Sequence, residues 1–429
     1  MSHQTPKKTK LYKIKKIIIL SVFFCVLYLI LLYKVYYLIN SPWNALFRIY
    51  SLLTGVFLFS RFIISYFYSD KHNHQYSPGL YPKCSFVISC KNEEDSISKT
   101  IDTCLTSIYP NELDCIAIND GSTDNTLSQM KESKRKWGSK LRIISFSENR
   151  GKREGMSEGV LASKNDIIIF VDSDSFVRPE AVKIIVEHFI EDPQIGAVSG
   201  NTRVENDGVN MLTKMQSARY GISYDIFKAS ESVFGTVTCC PGCFSAYKRK
   251  AILKVLRKWR FQTFLGSRST FGDDRSLTNF VMRTRKVVYC RSAIATTIVP
   301  ERFKKLFNQQ LRWKKSWIRE GIANTGSFIW RKNPIASLSF YINLLIPIFG
   351  PIIIVKVLLV DFATHGTLPL YYVFGIVAMS LLFGIYYYAI YPNKYWWYVL
   401  IFSLLYTFVL IWQMPYALIK LRDTKWGTR

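Results

Sequence analysis

Histidine is scarce in this chain, which has five histidines among 429 residues. They are scattered along the sequence, at His3, His72, His74, His188 and His365. A site built on histidine needs such side chains close together, or one of them beside a fixed partner. The scatter predicts chemistry that does not use histidine.

Cysteine occurs nine times, without the spacing of a zinc site. A structural zinc ion needs four Cys or His ligands, and no second cluster completes such a set around Cys239, Cys240 and Cys243. Other cysteines stand singly in apolar contexts typical of strands or helices: Cys84, Cys90, Cys104, Cys115 and Cys290. We therefore expect reduced thiols in a domain that faces the cytosol, and we expect the three clustered cysteines to line a pocket.

Acidic residues are outnumbered by basic ones: 30 Asp and Glu stand against 57 Lys and Arg, which gives a formal net charge of +27. Such an excess can serve nucleic-acid binding, but the sequence contains neither a zinc-finger spacing nor an aromatic RNA-binding signature. It is also typical of membrane proteins, which keep Lys and Arg in cytoplasmic loops near anionic lipid head groups. We therefore predict membrane lipid, and no nucleic acid, as a partner.

Long apolar runs begin early in the chain. Residues 1–16 are polar and basic, and the apolar run from Ile17 to Ile39 that follows is too long for the core of a signal peptide. A second run covers Ala45 to Tyr68. Together they predict a transmembrane hairpin over residues 17–68, with a cytoplasmic basic N-terminus.

Residues 82–300 have the composition of a soluble domain. Four short apolar runs alternate there with helical segments: Cys84 to Ser89, Cys115 to Asn119, Leu141 to Ser145 and Asp166 to Val171. This alternation predicts a cytoplasmic α/β domain with a doubly wound, mostly parallel sheet, inserted between α-helical transmembrane segments. Polar motifs follow three of the predicted strands, at the edge where such sheets bind ligands.

A basic and aromatic segment, Phe303 to Glu320, follows the soluble domain and carries Trp313 and Trp317 four residues apart. It predicts amphipathic helices in the membrane interface over residues 301–334, with a cytosolic surface helix as the alternative. Three apolar stretches then fill residues 335–419, and residues 420–429 form a basic tail.

Three full spans would place this tail outside, against the tendency of basic segments to stay in the cytoplasm. We therefore predict that one stretch is re-entrant or conceals two tilted segments. The candidate is Ile335 to Phe362, because Pro347, Gly350 and Pro351 interrupt it.

Two carboxylates occur at the end of the fourth predicted strand, in Asp172-Ser173-Asp174. Oxygen ligands separated by one residue suit a Mg²⁺ or Mn²⁺ ion that also binds a diphosphate. Asp pairs are common in turns as well, so it is the position at a strand end that favours a metal site.

A second carboxylate pair occurs in Gly272-Asp273-Asp274-Arg275. Either Asp273 or Asp274 can take the proton of an attacking hydroxyl, while Arg275 offsets the charge. The structural alternative is that these residues cap the helix that follows, and both roles can be filled together.

Two basic motifs complete the candidate site. Asn149 to Arg153 form a short turn at the start of a helix, where basic side chains and backbone N–H groups can bind phosphate. Gln309 to Trp313 place an Arg beside a Trp at the membrane boundary, which suits a diphosphate next to a stacked sugar ring.

In this order the motifs resemble those of processive family 2 glycosyltransferases: Asp120-Gly121-Ser122, Asp172-Ser173-Asp174, Gly272 to Arg275 and Gln309 to Trp313. Within that family the chain is most similar to hyaluronan synthases, through Gly272 to Asn279, Lys315-Ser316 and the terminal Trp426 to Arg429. The resemblance covers nearly the whole chain. It implies a GT-A fold, UDP-sugar donors, a Mg²⁺ or Mn²⁺ cofactor, and a growing polysaccharide that leaves through the membrane helices.

The resemblance also implies roles for individual residues. Contacts to the nucleotide sugar would come from Asn92, Glu93, Asp120, Lys152, Asp172, Arg312, Trp426 and Arg429. Asp174 would bind the metal, and Asp274 would be the general base beside Asp273. The acceptor would meet Cys240, Gly242, Gln309 and Trp313, with Trp313 stacked on a sugar.

Some features depart from hyaluronan synthases. Cys240 to Tyr247 resemble the acceptor segment of chitin synthases, where hyaluronan synthases typically carry Ser-Gly-Pro, and Ala295 to Pro300 resemble chitin-oligosaccharide synthases. Asn119 precedes Asp120 where the family often has Asp. Two products therefore stay open: hyaluronan from UDP-N-acetylglucosamine and UDP-glucuronic acid, or chitin from the first donor alone. A single-sugar transferase and a non-catalytic membrane protein are further alternatives.

Overall fold

The computed structural model describes residues 17–18, 20–32, 35–36, 45–70, 76–326, 329–366 and 370–423. The basic segment 1–16 and the tail residues Trp426 and Arg429 lie outside these ranges. Two helices come first, α1 (Leu20–Leu32) and α2 (Ala45–Tyr66). An α/β domain follows them, and further helices follow that domain.

The strands of the α/β domain are β1 (Cys84–Cys90), β2 (Leu113–Asp120), β3 (Leu141–Phe146), β4 (Ile167–Phe170), β5 (Ser175–Val177), β6 (Ile195–Val204), β7 (Ser245–Lys248), β8 (Thr263–Phe264), β9 (Ser267–Arg268) and β10 (Lys286–Thr297). Its helices are α3 (Ile97–Leu105), α4 (Thr126–Trp137), α5 (Lys152–Ala162), α6 (Ala181–Glu191), α7 (Met211–Ile222), α8 (Ala229–Ser232), α9 (Arg249–Arg260) and α10 (Asp273–Met282). A π-helical turn, Ser223–Lys228, joins α7 to α8.

The helices after the α/β domain are α11 (Phe303–Glu320), α12 (Pro334–Val355), α13 (Asp361–His365), α14 (Leu370–Ile390), α15 (Tyr398–Phe408) and α16 (Gln413–Ile419). A π-helical turn, Lys356–Val360, connects α12 to α13.

The main sheet has eight strands in the order β3-β2-β1-β4-β7-β6-β10-β5. β1 pairs in parallel with both β2 and β4, and β2 pairs in parallel with β3. β7 runs antiparallel between β4 and β6, and β5 is an antiparallel edge strand. The mostly parallel sheet that the sequence predicts is confirmed, and each of the four predicted strands is present.

Apolar clusters cover both faces of this sheet. Phe86 and Ile88 of β1 belong to one cluster, and Val87 of the same strand belongs to the other. Alternate residues of a strand point to opposite faces, so a strand covered on both faces is apolar throughout. This explains why the sequence shows continuous apolar runs here.

Three described helices are long and apolar enough to cross a membrane: Phe47–Tyr66, Pro334–Thr364 and Tyr372–Ile390. Tyr398–Phe408 and Leu410–Ile419 form a pair bent by 42°, which has the form of a broken span or a re-entrant element. Leu20–Leu32 is apolar but shorter. The helices therefore flank the α/β domain on both sides in the sequence, as predicted.

The interruption that we predicted near Pro347 is absent, and this prediction was wrong. Pro334–Thr364 is one apolar helix, with Pro347 and Pro351 inside it. Contacts with neighbouring helices and local π-helical turns allow proline within a membrane helix. Both are found here: the Tyr50 hydroxyl of α2 donates to the carbonyl of Ile346 at 3.3 Å, and a π-helical turn follows α12. The bend lies instead in the last apolar stretch.

A buried ion group joins the sheet to a membrane helix. Arg203 of β6 donates to Asp225 at 2.6 Å, and Arg291 of β10 donates to the same carboxylate at 3.0 Å. Arg203 also donates to the hydroxyl of Tyr387 on α14 at 3.1 Å. Asp225 itself is fully buried. One carboxylate thus holds two strands, the π-helical turn and α14 together.

We expect Asp225→Asn to destabilise the protein by about 3 kcal/mol or more, because it leaves two partly buried arginines without their buried anion. Thermal unfolding of the purified protein in detergent measures the loss. Asp192→Asn is the matched control, since Asp192 pairs with Lys286 at 2.9 Å with both side chains partly exposed. That variant should lose less than about 1 kcal/mol. Equal losses in the two variants would contradict the role given to Asp225.

Candidate active site

A cleft of about 1550 Å³ opens at the carboxyl ends of β1, β2 and β4. Loops of the α/β domain line one part of it, and α11 lines another. Its walls also include Asn343 and Pro347 of α12, Tyr406 of α15 and Met414 of α16. The sheet edge and the membrane helices therefore border the same space.

Asp120, at the end of β2, fixes the basic turn that precedes α5. Its Oδ1 accepts hydrogen bonds from the backbone N–H groups of Arg150 (2.7 Å) and Gly151 (3.2 Å). Gly121 has φ +62°, and a Cβ there would lie 2.5 Å from the carbonyl carbon of Glu148, so glycine is needed for this approach. Burial raises the pKa of Asp120, and the two N–H donors oppose that effect. Asp120 therefore lines the cleft and also fixes the backbone of the basic turn, which we predicted to bind phosphate.

The residues after β1 divide between the cleft and the start of α3. Asn92 lines the cleft, and its Oδ1 accepts from the N–H of Thr123 at 2.9 Å. Glu93 accepts from the hydroxyl of Ser96 at 3.0 Å, just before α3, and is not among the residues that line the cleft. The structure brings Asn92 to the predicted site and leaves Glu93 beside a helix start.

Lys152 and Asp172 form an ion pair in the cleft; we call the part of the cleft around this pair the donor side. Lys152 begins α5, and its Nζ contacts Asp172 Oδ1. A Cβ on Gly242 would lie 2.6 Å from that oxygen and 2.9 Å from the nitrogen, so glycine leaves room for the pair. Burial is the largest influence and would lower the pKa of Lys152, but attraction to Asp172, Asp274 and Asp273 outweighs it and raises that pKa. Lys152 therefore remains a cation suited to phosphate.

Two hydroxyl groups lie near Asp174, which directly precedes β5. Its Oδ1 lies 3.5 Å from the hydroxyl of Ser175 and 3.4 Å from that of Thr297. Among the described residues, no group of three or more His, Cys, Asp or Glu side chains is arranged to hold a metal ion. Mg²⁺ and similar cations often use one or two carboxylates and complete their coordination with water and substrate phosphates. The residues fit a divalent cation that binds together with a diphosphate.

The two carboxylates at the start of α10 have different environments. Asp274 lines the cleft, where its Oδ1 accepts from the N–H of Arg275 at 2.8 Å. Asp273 is only 3% exposed, and its Oδ1 accepts from Arg153 at 2.7 Å. A general base must come within reach of the hydroxyl that it deprotonates. Both carboxylates line the cleft, but Asp274 is the more exposed of the two and is the candidate base, whereas Asp273, expected as a second catalytic residue, forms an ion pair that joins α10 to α5.

α11 brings Gln309, Arg312 and Trp313 to the membrane side of the cleft. Arg219 of α7 lies over the ring of Trp313 at 5.7 Å and over the ring of Phe402 at 5.1 Å. Oε1 of Gln309 is buried and has no hydrogen-bond partner among the described residues. Trp313 is thus held by a stacked cation, next to an amide oxygen that can accept from a sugar hydroxyl.

Cys240 does not reach the cleft, contrary to the acceptor contact that we expected. It is fully buried in the apolar core, and its N–H donates to the hydroxyl of Thr278 at 2.9 Å. Its neighbours Cys239, Gly242 and Cys243 line the cleft instead. The prediction that the cysteine cluster lines a pocket is confirmed for Cys239 and Cys243, and all nine cysteines are free thiols.

Sequence reasoning gave no role to several residues that line the cleft: Arg219, Tyr220, Lys228 and Lys314. Arg219 and Tyr220 lie on α7, whose sequence carries no recognisable motif. Lys314 directly follows Trp313 of the Gln309 to Trp313 motif, and this position could have indicated that it lines the cleft. The predicted nucleotide contacts Trp426 and Arg429 lie outside the described residues.

The cleft therefore combines four chemical capacities. Lys152 and the turn after β3 can bind a phosphate group, and Asp174 can contribute to a cation site. Asp274 can accept a proton, and Trp313 can stack on a sugar ring. These capacities match the transfer of a sugar from a nucleotide to a hydroxyl.

Comparison with known proteins gives the same result. Residues 85–256 match the model of "Glycosyl transferase family 2". The chain is 27% identical to a hyaluronan synthase of Streptococcus pyogenes serotype M3 over 97% of both chains. It is 32% identical to an N-acetylglucosaminyltransferase of Rhizobium meliloti over 56% of both chains.

A solved structure shares the fold. The mannosyltransferase PcManGT from Pyrobaculum calidifontis, in complex with GDP-Man and Mn²⁺, matches with a TM-score of 0.61 and 17% sequence identity. The match covers 89% of this chain and 99% of that one. The chain therefore contains a family 2 glycosyltransferase domain with a GT-A fold, and it is similar to hyaluronan synthases over almost its whole length.

Proposed function

We propose that this chain is a processive, inverting glycosyltransferase of the cell membrane that polymerises UDP-sugars and passes the polymer through its own helices. The observation that carries the proposal is the shared cleft. Asp174 and Asp274 line it together with Pro347 and Tyr406, which belong to apolar helices. A product formed at the carboxylates would therefore meet the membrane helices at once. The basic N-terminus and tail favour a cytoplasmic catalytic domain.

In the proposed transfer, Asp274 takes the proton of the acceptor hydroxyl as the oxygen attacks the anomeric carbon. The bond from that carbon to the diphosphate breaks on the opposite face, and UDP leaves. Lys152 and Arg312 bind the departing phosphates, and Trp313 holds the acceptor sugar in line. When Mg²⁺ or Mn²⁺ is bound, Asp174 would hold it, and the cation would offset charge on the diphosphate.

We expect Asp274→Asn to reduce polymer formation by about 10³-fold, within the usual range for loss of a general base. Binding of UDP should persist, because Lys152 and Asp120 are unchanged. Radiolabelled polymer and calorimetric UDP binding measure the two effects. Asp192→Asn, at a partly exposed ion pair, is the control and should keep full activity. Substantial polymer from the Asp274 variant would remove this residue from the role of base.

Hyaluronan carries carboxylates and chitin does not, so cations in the cleft can favour one product over the other. Arg219 lies over aromatic rings, and Lys314 donates to the Gln413 amide oxygen at 2.9 Å; among the described residues, neither forms an ion pair. Both line the membrane side of the cleft. Such cations suit a polymer that carries carboxylates, so we propose hyaluronan as the product. Chitin is the second candidate, favoured by the segment from Cys240 to Tyr247 and by the similarity to rhizobial N-acetylglucosaminyltransferases.

We expect polymer only when UDP-N-acetylglucosamine and UDP-glucuronic acid are supplied together with Mg²⁺ or Mn²⁺. Hyaluronidase should digest the product, chitinase should leave it intact, and a chelator of divalent cations should stop synthesis. The assay uses the full chain purified in detergent. Polymer from UDP-N-acetylglucosamine alone that chitinase digests would establish chitin instead, and a product of one added sugar would exclude processivity.

We expect Lys314→Gln to release nascent polymer about tenfold faster and so to shorten it, since a hydrogen bond to a charged group contributes about 1.5 kcal/mol. Burial, aided by the charge of Arg219, lowers the pKa of Lys314 to about 7. Its charge is present below that pH and lost above it, so wild-type chains should shorten between pH 6 and pH 8, which brackets the lowered pKa. Gel filtration of the product measures chain length.

The matched control is Lys304→Gln, because Lys304 lies on the same helix, is exposed and does not line the cleft. It should leave chain length and its pH dependence unchanged. Equal shortening by both variants would show that loss of positive charge on α11, rather than a contact in the cleft, controls release.

A further inference from the structure

Two thiols in the cleft face two of its carboxylates. Cys239 Sγ lies 3.8 Å from Asp274 Oδ2, and Cys243 Sγ lies 3.5 Å from Asp172 Oδ2. In both contacts the thiol is the donor. The four residues line the cleft, and the segment 239–243 runs from the proposed base to the donor-side ion pair.

The backbone holds Cys239 in register with Asp274. The hydroxyl of Thr278 donates to the carbonyl of Asp274 at 2.7 Å and accepts from the N–H of Cys240 at 2.9 Å. The Nζ of Lys228 donates to the carbonyl of Cys239. The segment is therefore attached both to α10 and to the π-helical turn, so the thiol–carboxylate contact does not depend on side-chain conformation alone.

Both thiols are neutral donors at neutral pH. Burial and then the charge of Asp274 raise the pKa of Cys239 to about 11. Burial and then the charges of Asp172 and Asp174 raise the pKa of Cys243 well above its usual value. A neutral donor orients a carboxylate while stabilising its charge less than a cation would. For a general base this is an advantage, since the carboxylate must still take a proton.

We propose that Cys239 and Cys243 are positioning residues of the transfer reaction: the Cys239 thiol orients Asp274 towards the acceptor, and the Cys243 thiol orients Asp172 towards Lys152. This inference rests on the proposed role of Asp274 as base. The contacts themselves can be tested separately from that role.

The first experiment measures the contacts without measuring catalysis. N-ethylmaleimide reacts with thiolates, so its rate at a fixed pH reports the pKa of each cysteine. Asp274→Asn removes one charge that raises the pKa of Cys239, and should speed alkylation of Cys239 about threefold or more while leaving Cys243 unchanged. Asp172→Asn should speed alkylation of Cys243 and leave that of Cys239 unchanged. Mass spectrometry of the full-length protein in detergent resolves the two sites.

A rate change at both cysteines in both variants would indicate general opening of the cleft and would overturn the proposed contacts. Unchanged rates at both would also overturn them. Because no step of this experiment uses turnover, it remains decisive even where Asp274→Asn retains activity and the proposed base is wrong.

The second experiment measures the positioning role through the pH profile of kcat. Cys239→Ala removes a donor to the ionised base, so the low-pH limb of the profile should move up by about half a pH unit. The KM for each donor should stay unchanged. Cys239→Ser restores a hydrogen-bond donor, so the low-pH limb of the kcat profile should return to its wild-type position. Cys243→Ala should instead raise the donor KM without moving the limb.

Cys240→Ala is the matched control, because Cys240 is the adjacent cysteine and is buried away from the cleft. It should lower stability but leave the pH profile and both KM values as in the wild type. A shift in Cys240→Ala equal to that in Cys239→Ala, or no recovery in Cys239→Ser, would overturn the positioning role.

Discussion

The parallel pairing of β1 with β2 and β4 is the constraint on which the site depends. It aligns the carboxyl ends of three strands, so Asn92, Asp120 and Asp172 meet at one edge although 80 residues of sequence separate the first from the last. The first N–H groups of a helix have no partner within the helix. In the turn just before α5, the N–H groups of Arg150 and Gly151 donate to Asp120, and Lys152 at the start of α5 contacts Asp172. Sheet topology thus supplies both the anions of the cleft and the cation that balances them.

A second constraint connects the sheet to the membrane helices. Asp225 accepts from arginines on β6 and β10, and one of those arginines reaches Tyr387 on α14. The approach is close: a Cβ on Gly221 would lie 2.1 Å from the ring of Tyr387, so only glycine fits. A buried ion group tolerates little rearrangement, because any displacement leaves a charge without its partner. The α/β domain and α14 are therefore held in one relative position, which keeps the cleft aligned with the helices that border it.

The sequence predicted the parts of this protein that follow from local pattern. Continuous apolar runs gave the first four strands, and the polar residues after them gave Asn92, Asp120, Asp172 and Asp174. It did not separate Asp273 from Asp274, because which of two adjacent carboxylates is buried depends on Arg153, 120 residues earlier. It did not separate Cys240 from Cys239 for the same reason: the contact that turns Cys240 inward comes from Thr278. The prolines of α12 led to the wrong prediction of an interrupted helix. Whether a proline interrupts a helix depends on neighbouring helices such as α2, which a local sequence pattern does not contain.

The arrangement of charge in the cleft changes with distance from the sheet edge. Near the edge, carboxylates and cations alternate, and Lys152 lies against Asp172. Towards the membrane helices the cations Arg219 and Lys314 contact aromatic rings and an amide instead of carboxylates. Burying a cation without an anion is costly, and aromatic faces recover only part of that cost. A passing carboxylate would lower the free energy of this region, whereas a neutral sugar would not. If the cleft binds a divalent cation near the sheet edge and an anionic chain near the membrane helices, as proposed, this gradient keeps the two binding regions apart.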